Sequence, residues 1–335
     1  MPRLSVTSAA IDPMEKPKIV AIVGPTASGK SLLALRLARH CQGEIISSDS
    51  VQVYRDLNIG SGKLSLDQRR QAPHHLIDIL DLGKNYSAGL FRQQADMIIH
   101  ELYKRKIPIL VVGGTGLYLK VLTRGLFRGP TSNPELRSTL RERAEAGGSS
   151  GLHRELQRLD PEVSLRIHPQ DTLRIIRAME VFYQTNIPLS RHHREHAFLE
   201  KPYEVFKVGL ICAREEMYRR IEARTDEMIT AGWAEEVKSL LNQGHAPGLR
   251  SLQSLGYKHM VSYVTGKIPL SEAIYSIKRD TRRYAKRQIT WFRADPEVHW
   301  YPARPENFTT IAHDVEEFLS HSCPEGRVSF PKQGC

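Results

Sequence analysis

Cysteine is scarce and unpatterned in this 335-residue chain: Cys41, Cys212, Cys323 and Cys335 show no C-x-x-C spacing, and Cys323 and Cys335 are followed by no histidine pair. That excludes a disulfide framework and a zinc site written in the sequence. No apolar run approaches the roughly 18 residues of a membrane helix, and Met1 to Pro17 lacks the apolar core of a signal peptide, so the expected location is the cytoplasm, with no membrane partner. Acids are short: 37 Asp and Glu face 48 Lys and Arg, a net charge of +11 that points to an acidic polymer as partner. Lysine is absent from Val121 to Glu200, a stretch with twelve arginines. Arginine's planar fork suits phosphate and base recognition, although a GC-rich genome gives the same bias. Hydrophobic residues at 40% and charged residues at 25% are ordinary for a globular chain able to bury a sizeable core.

What is present begins with Gly24-Pro25-Thr26-Ala27-Ser28-Gly29-Lys30-Ser31, a complete G-x-x-x-x-G-K-[ST] loop. It lies between the apolar run Ile19 to Val23 and a helical pattern from Leu32 to Ala38. A buried strand delivers the chain to a loop whose backbone N–H groups wrap an anion, and the next helix points its positive dipole at the same spot. Lys30 would neutralise the terminal phosphate and the Ser31 hydroxyl would hold Mg²⁺, the expected cofactor.

The usual sequel is missing. Nucleotide hydrolases place an Asp after a later strand as a second Mg²⁺ ligand, yet Ile109-Leu110-Val111-Val112 runs into Gly113-Gly114-Thr115-Gly116. The acid at a strand end is Asp49, after Glu44 to Ser48. In an open α/β sheet the reactive crevice lies beyond the carboxyl ends of the strands, so Asp49, Thr115 and the loop should converge. Asp49 is a candidate general base or metal ligand, or a simple helix cap.

Six motifs in order carry a resemblance from about Lys18 to about Trp300: the loop itself, Asp49-Ser50-Val51-Gln52-Val53-Tyr54, Pro73-His74-His75-Leu76-Ile77-Asp78, Tyr86-Ser87-Ala88, Gly113 to Tyr118, and Lys286 to Arg293. On these the chain resembles the bacterial tRNA dimethylallyltransferases (tRNA isopentenyltransferases). The resemblance implies transfer of a dimethylallyl group from its diphosphate to N6 of the adenine just 3′ of a tRNA anticodon, by a monomer. It implies catalytic roles for Asp49, for Thr26 as donor to the bridging oxygen, and for Arg224 as a second diphosphate clamp. RNA contacts are implied for Asp49, Ser50, Val51, Gln52 and Thr115, for Arg137, and for Leu173, Arg174, Ile175, Ile176 and Arg177. Further contacts are implied for Gln253, Ser254, Leu255, Gly256, Tyr257 and Lys258, and for Lys286, Arg287, Gln288, Ile289, Thr290, Trp291, Phe292 and Arg293. The chain departs from the family pattern at Leu173-Arg174, where members usually carry Gln-Arg, and at Gly60-Ser61-Gly62-Lys63-Leu64, which often reads Gly-Thr-Ala-Lys-Pro.

The expected fold is α/β, a P-loop NTPase-like parallel sheet flanked by helices, with a small inserted helical domain. The divisions are a disordered extension at 1–17, core at 18–126, helical insertion at 127–200, core again at 201–321, and a flexible tail at 322–335. Leu136, Leu140, Leu152, Leu156 and Leu159 mark the insertion's helices, which break at Gly147 to Gly151. The run Arg191 to His196 reads as a solvated basic loop. In the second core segment a strand is expected at Val205 to Ile211 and a helix from Arg214 to Thr230. Between Lys278 and Arg293 seven basic residues face one acid, Asp280, and Arg279, Arg283 and Arg287 repeat at i, i+4 as a helix face able to follow a phosphate backbone. Tyr284, Trp291 and Phe292 serve either as stacking partners for bases or, somewhat better, as core. Two rival classes stay open: a small-molecule kinase using the loop for ATP, and an RNA-binding protein with a vestigial nucleotide site.

Overall fold

The computed structural model describes residues 16–320 except 128, 197 and 198, so the extensions expected at 1–17 and 322–335 lie outside the described residues apart from Lys16 and Pro17. Six parallel strands form one sheet: β1 (Lys18–Val23), β2 (Glu44–Ser47), β3 (His74–His75), β4 (Ile109–Val112), β5 (Glu204–Ile211) and β6 (Val298–Pro302), in the order β3-β2-β4-β1-β5-β6. β1 is central, with Val20 paired to Leu110 on one side and Phe206 on the other. Residues Ile19 to Ile22 are fully buried, as expected of a parallel strand covered on both faces. That is why the run is apolar throughout instead of alternating.

Helices α1 (Lys30–Cys41), α2 (Leu66–Arg69), α3 (Ala88–Lys104) and α4 (Gly116–Arg124) belong to the first half of the chain. In α1 the buried Leu33, Ala34, Leu37, Ala38 and Cys41 form one stripe, and Gln42 closes the helix in a left-handed conformation with its N–H on Ala38 O. After β5 come α10 (Arg214–Thr230), α11 (Trp233–Asn242), α12 (Tyr257–Val264), α13 (Leu270–Arg293) and α14 (Phe308–Ser320), the numbers α5 to α9 being those of the inserted unit below. The strand and helix expected at Val205 and Arg214 stand within a residue of their positions. The sequence reading did not mark α14, although Ile311, Val315 and Phe318 keep helical spacing; its buried residues join the α1 stripe in one core cluster. No helix of the described residues is long and apolar enough to cross a membrane.

Residues Arg124–Lys201 form a compact unit of their own, built from α5 (Pro134–Gly147), α6 (Ser149–Leu159), α7 (Pro161–Ser164), α8 (Thr172–Thr185) and α9 (Leu189–His196). Asn133 caps α5 through Leu136 N at 3.0 Å, with Pro134 as first helical residue. Leu140, Leu152 and Leu156 are buried as their spacing requires, with Leu136 and Leu159 packed at the margin. The run Arg191 to His196, expected as a loop, lies on α9: Leu189 and Ser190 are buried in its first turn, and the Ser190 N–H donates to Asp160 Oδ2 at 2.8 Å, anchoring the helix start.

Candidate active site

The loop after β1 needs unusual backbone. Gly24 has φ 140°, and a Cβ there would lie 2.6 Å from the Leu210 carbonyl oxygen of β5, so only glycine lets the strand ends approach so closely. Gly29, at φ 87°, begins α1 without any side-chain cap, leaving that helix's first N–H groups to face outward toward an anion. Thr26, Ala27, Gly29, Lys30 and Ser31 line a cavity of about 670 Å³. Pro25 holds the Lys30 ammonium through its carbonyl oxygen at 2.5 Å, while the Ser28 hydroxyl is buried without a partner. The Ser31 hydroxyl, on the cavity wall, has no hydrogen-bond partner among the described residues.

Asp49 follows β2 and does two things at once. Its Oδ1 accepts from the N–H groups of Val51 (2.8 Å) and Gln52 (3.2 Å), closing a turn; no helix begins before Leu66, so the helix cap that its position suggested is not formed. Its Oδ2 accepts from no described residue, and the side chain lines the cavity. Arg224, from α10, reaches in from the other side: Nη1 donates to Thr26 Oγ1 and Nη2 to Gly62 O, both at 3.4 Å. A Cβ on Gly62 would sit 1.6 Å from that Nη2, so the guanidinium occupies the space where the family pattern has alanine.

The charges do not balance. Desolvation in the cavity and, after it, the Arg224 charge lower the Lys30 pKa to about 7, with Asp49 offsetting only part. Arg224 is likewise pulled down by burial, against support from Asp49 and Glu227. Lys30, Lys63, Arg220 and Arg224 share the cavity wall with two acids, Asp49 and Glu227, a surplus of cations that an anion would stabilise.

A second cavity of about 300 Å³ is lined by Ser50, Val51, Ser254, Leu255 and Gly256, and shares Thr26, Asp49, Arg224, Met228 and Tyr284 with the first. Tyr284, from α13, interacts with the Thr115 and Gln288 side chains, and burial pushes its phenol up to about 12. Gln288 is not placed for RNA: it is 5% exposed, its Oε1 accepts from Thr26 N at 2.8 Å and its Nε2 donates to Gly114 O at 2.9 Å. It sews the phosphate loop to the end of β4. The sequence reading missed Met228, which lines both cavities, and the Gly114 carbonyl; a contact spanning 174 residues leaves no local signal.

Other expected RNA contacts divide by burial. Gln52 lines the larger cavity. Thr115 is half-buried at the start of α4, where its carbonyl accepts from Tyr118 N at 2.9 Å. Ile175, Ile176, Tyr257 and Phe292 are all at most 3% exposed, so their side chains serve the core and cannot touch RNA. Ile289 packs beside Ala27, Met217 and Ile221. Within the inserted unit, Arg137 grips the fully buried Glu180 with two bonds of 2.9 Å, and Arg177 adds one at 2.7 Å. Burial opposes the Glu180 charge, yet the two guanidinium groups and the Asn133 N–H hold its carboxyl below the usual range. Both arginines thus help build the unit, while their side chains stay about a third exposed. Leu173 and Arg174 stand exposed on α8.

The basic face of α13 is half spoken for. Lys278 pairs with Asp226 at 2.6 Å, Arg282 with Glu222 at 2.5 Å and Arg279 with Asp280 at 3.0 Å, while Arg283 lies 3.5 Å from Asp280. Lys286, Arg287 and Arg293 are exposed and have no carboxylate partner among the described residues. Thr290 donates back to Lys286 O, and Trp291, expected as core, is 46% exposed beside Gly116. Gln253 is exposed with its amide on Pro247 O, and Lys258 lies 3.7 Å from Asp280.

The parallel sheet and the loop that leads from β1 into α1 define an α/β protein of the P-loop type, with a helical insertion. A family model described as IPP transferase matches residues 52–295, and one described as Isopentenyl transferase matches 17–72. A tRNA dimethylallyltransferase 2 of Syntrophus aciditrophicus is 46% identical over 306 residues, 91% of this chain and 98% of its own length. Among solved structures, a tRNA isopentenylpyrophosphate transferase from Bacillus halodurans superposes with TM-score 0.68 at 36% identity, over 91% of this chain and 97% of that one. A eukaryotic dimethylallyltransferase acting on tRNA gives 0.72 at 26% identity, over 90% and 84%. The chain belongs to the IPP transferase family. The kinase reading, open while only the loop was known, is set aside.

Proposed function

We propose that this chain is a tRNA dimethylallyltransferase, moving the five-carbon group of dimethylallyl diphosphate to N6 of the adenine 3′ of the anticodon and releasing diphosphate. The observation that carries this reading is the meeting of two cavities at Thr26, Asp49, Arg224 and Tyr284, one cationic and floored by the phosphate loop, the other bounded by Asp49 and the 254–256 loop. A donor in the first and a flipped base in the second would meet where both open.

An allylic diphosphate leaves once its charge is balanced, so the loop N–H groups, Lys30 and Arg224 act on the leaving group. Thr26 Oγ1 accepts from Arg224, which leaves the hydroxyl proton free to donate to the bridging oxygen as the carbon–oxygen bond breaks. The adenine amine is a weak nucleophile, its lone pair spread into the ring. Asp49 Oδ2 takes its proton, while the Val51 and Gln52 amides on Oδ1 fix the direction in which the carboxylate points. Lifting the base from the anticodon stack costs a few kcal/mol, about what stacking and hydrogen bonding in the smaller cavity must return.

The site's donors fit Mg²⁺: the unpartnered Ser31 hydroxyl lines the cavity, and among the described residues there is no cluster of three or more His, Cys, Asp or Glu. Such a set suits an ion held mostly by diphosphate oxygens and water, which when bound screens the leaving group's charge. We place the enzyme in the cytoplasm as a monomer. Incubation of the protein with tRNA and radiolabelled dimethylallyl diphosphate is expected to label the RNA without ATP. Labelling that needs ATP sinks the proposal.

A further inference from the structure

One short helix braces both walls of the smaller cavity. On one side, Glu236 Oε2 accepts from the N–H groups of Asn58 (3.0 Å) and Ile59 (2.8 Å), and the Trp233 ring fills the space where a Cβ on Gly60 would stand, 2.2 Å from it. On the other, Glu236 Oε1 accepts from the Tyr257 hydroxyl at 2.7 Å, and a Cβ on Gly256 would meet Trp233 at 2.4 Å. Gly60, Gly256 and Trp233 all line that cavity. The Tyr257 oxygen also faces the amides of Gly60 and Ser61, and burial followed by the Glu236 charge pushes its pKa up. Trp233 is 2% exposed and its Nε1 has no partner, so the indole acts by its bulk between two glycines and not as a donor.

We propose that Glu236 and Trp233 are positioning residues for the acceptor base, setting the distance between the Gly60-Ser61 loop and the Ser254 to Gly256 loop and so the width of the slot between them. The inference rests on the reading of the smaller cavity as the acceptor site. Neither residue hydrogen-bonds to the phosphate loop among the described residues, and neither lines the larger cavity, although Asn58 and Ile59 do. Loosening the brace should therefore misplace the base while leaving the phosphate end of the donor site intact.

Glu236→Ala removes both arms of the brace at once. It is expected to raise the KM for tRNA and lower kcat, together costing roughly 10- to 100-fold in kcat/KM, the penalty of small misplacements at a reacting centre. Pyrophosphate affinity, measured by calorimetry on the same protein, stays unchanged. Glu236→Gln keeps an acceptor for the two amides and recovers most of the loss, a rescue that general destabilisation would not give. If Glu236→Ala does not fold at the assay temperature, Tyr257→Phe, which cuts one arm only, carries the same test with a smaller effect. Unchanged transfer by these variants, or loss of pyrophosphate binding in step with tRNA use, overturns the inference. No transfer by the unaltered protein, with pyrophosphate still bound, overturns the acceptor-site reading and the brace with it.

Discussion

Lys30 carries a charge that burial in the cavity disfavours. Its pKa falls from 10.5 to about 7, so the unfolded chain binds more protons than the native state between those values. Native stability accordingly gains as pH rises from about 7 toward 10.5, and the full desolvation cost is felt below 7. Binding an anion reverses this, because a diphosphate beside the ammonium favours the charged form. Pyrophosphate binding is expected to take up a proton at Lys30 above pH about 7 and to weaken as pH climbs. Calorimetry in buffers of differing ionisation enthalpy reads that uptake, and Lys30→Met should abolish this component; equal uptake by both proteins contradicts the assignment. Asp49 yields a second residue-level prediction. The helix cap and the acid were rival roles on sequence grounds, but no helix follows Asp49 before Leu66: Oδ1 closes the turn at Val51 and Gln52, while Oδ2 accepts from no described residue. Asp49→Asn should keep fold and pyrophosphate binding and slow single-turnover transfer by roughly 10² to 10⁴. Recovery of full rate at high Mg²⁺ would make it a metal ligand instead.

At the level of elements, α13 and α8 show what a charge pattern can and cannot tell. The i, i+4 repeat of arginine reads correctly as one helix face, but which members are free depends on Asp226 and Glu222 of α10, 52 and 60 residues from their partners. Arg287→Ala with Lys286→Ala should therefore weaken tRNA binding and lower the slope of log K against log salt by about 0.7 to 0.9 per lost contact. Lys278→Ala, which removes a cation already paired, should leave the slope alone. Equal effects from both would show that the ion pairs open on binding. In α8 the expected clamp Arg177, with Arg137 from α5, proves to neutralise Glu180, which no local pattern reveals because a carboxylate at that depth is rare. Arg137→Ala should cost about 1–3 kcal/mol in urea unfolding, by leaving Glu180 short of donors. An unchanged midpoint with weakened tRNA binding would restore the clamp.

For the whole molecule, the features readable in sequence were those with short-range signals: the phosphate loop between strand and helix, the buried central strand, the arginine-rich leucine-spaced insertion. What escaped was set by contacts across the fold. Gln288 reached its partner Thr26 over 262 residues, so a residue expected on the RNA is part of the loop's own support. The last described helix, α14, was legible and passed over: Ile311, Val315 and Phe318 keep helical spacing and pack beside α1. The same long-range assembly produces the central claim, two cavities joined at Thr26, Asp49 and Arg224 with the donor in one and the base in the other. A single turnover with tRNA and dimethylallyl diphosphate, followed by digestion to nucleosides, tests that claim most directly. The account predicts one adenosine, the residue 3′ of the anticodon, gaining the five-carbon group on N6 with one pyrophosphate released per transfer. Modification at another base, or a phosphoryl group moved in place of the prenyl group, would contradict it.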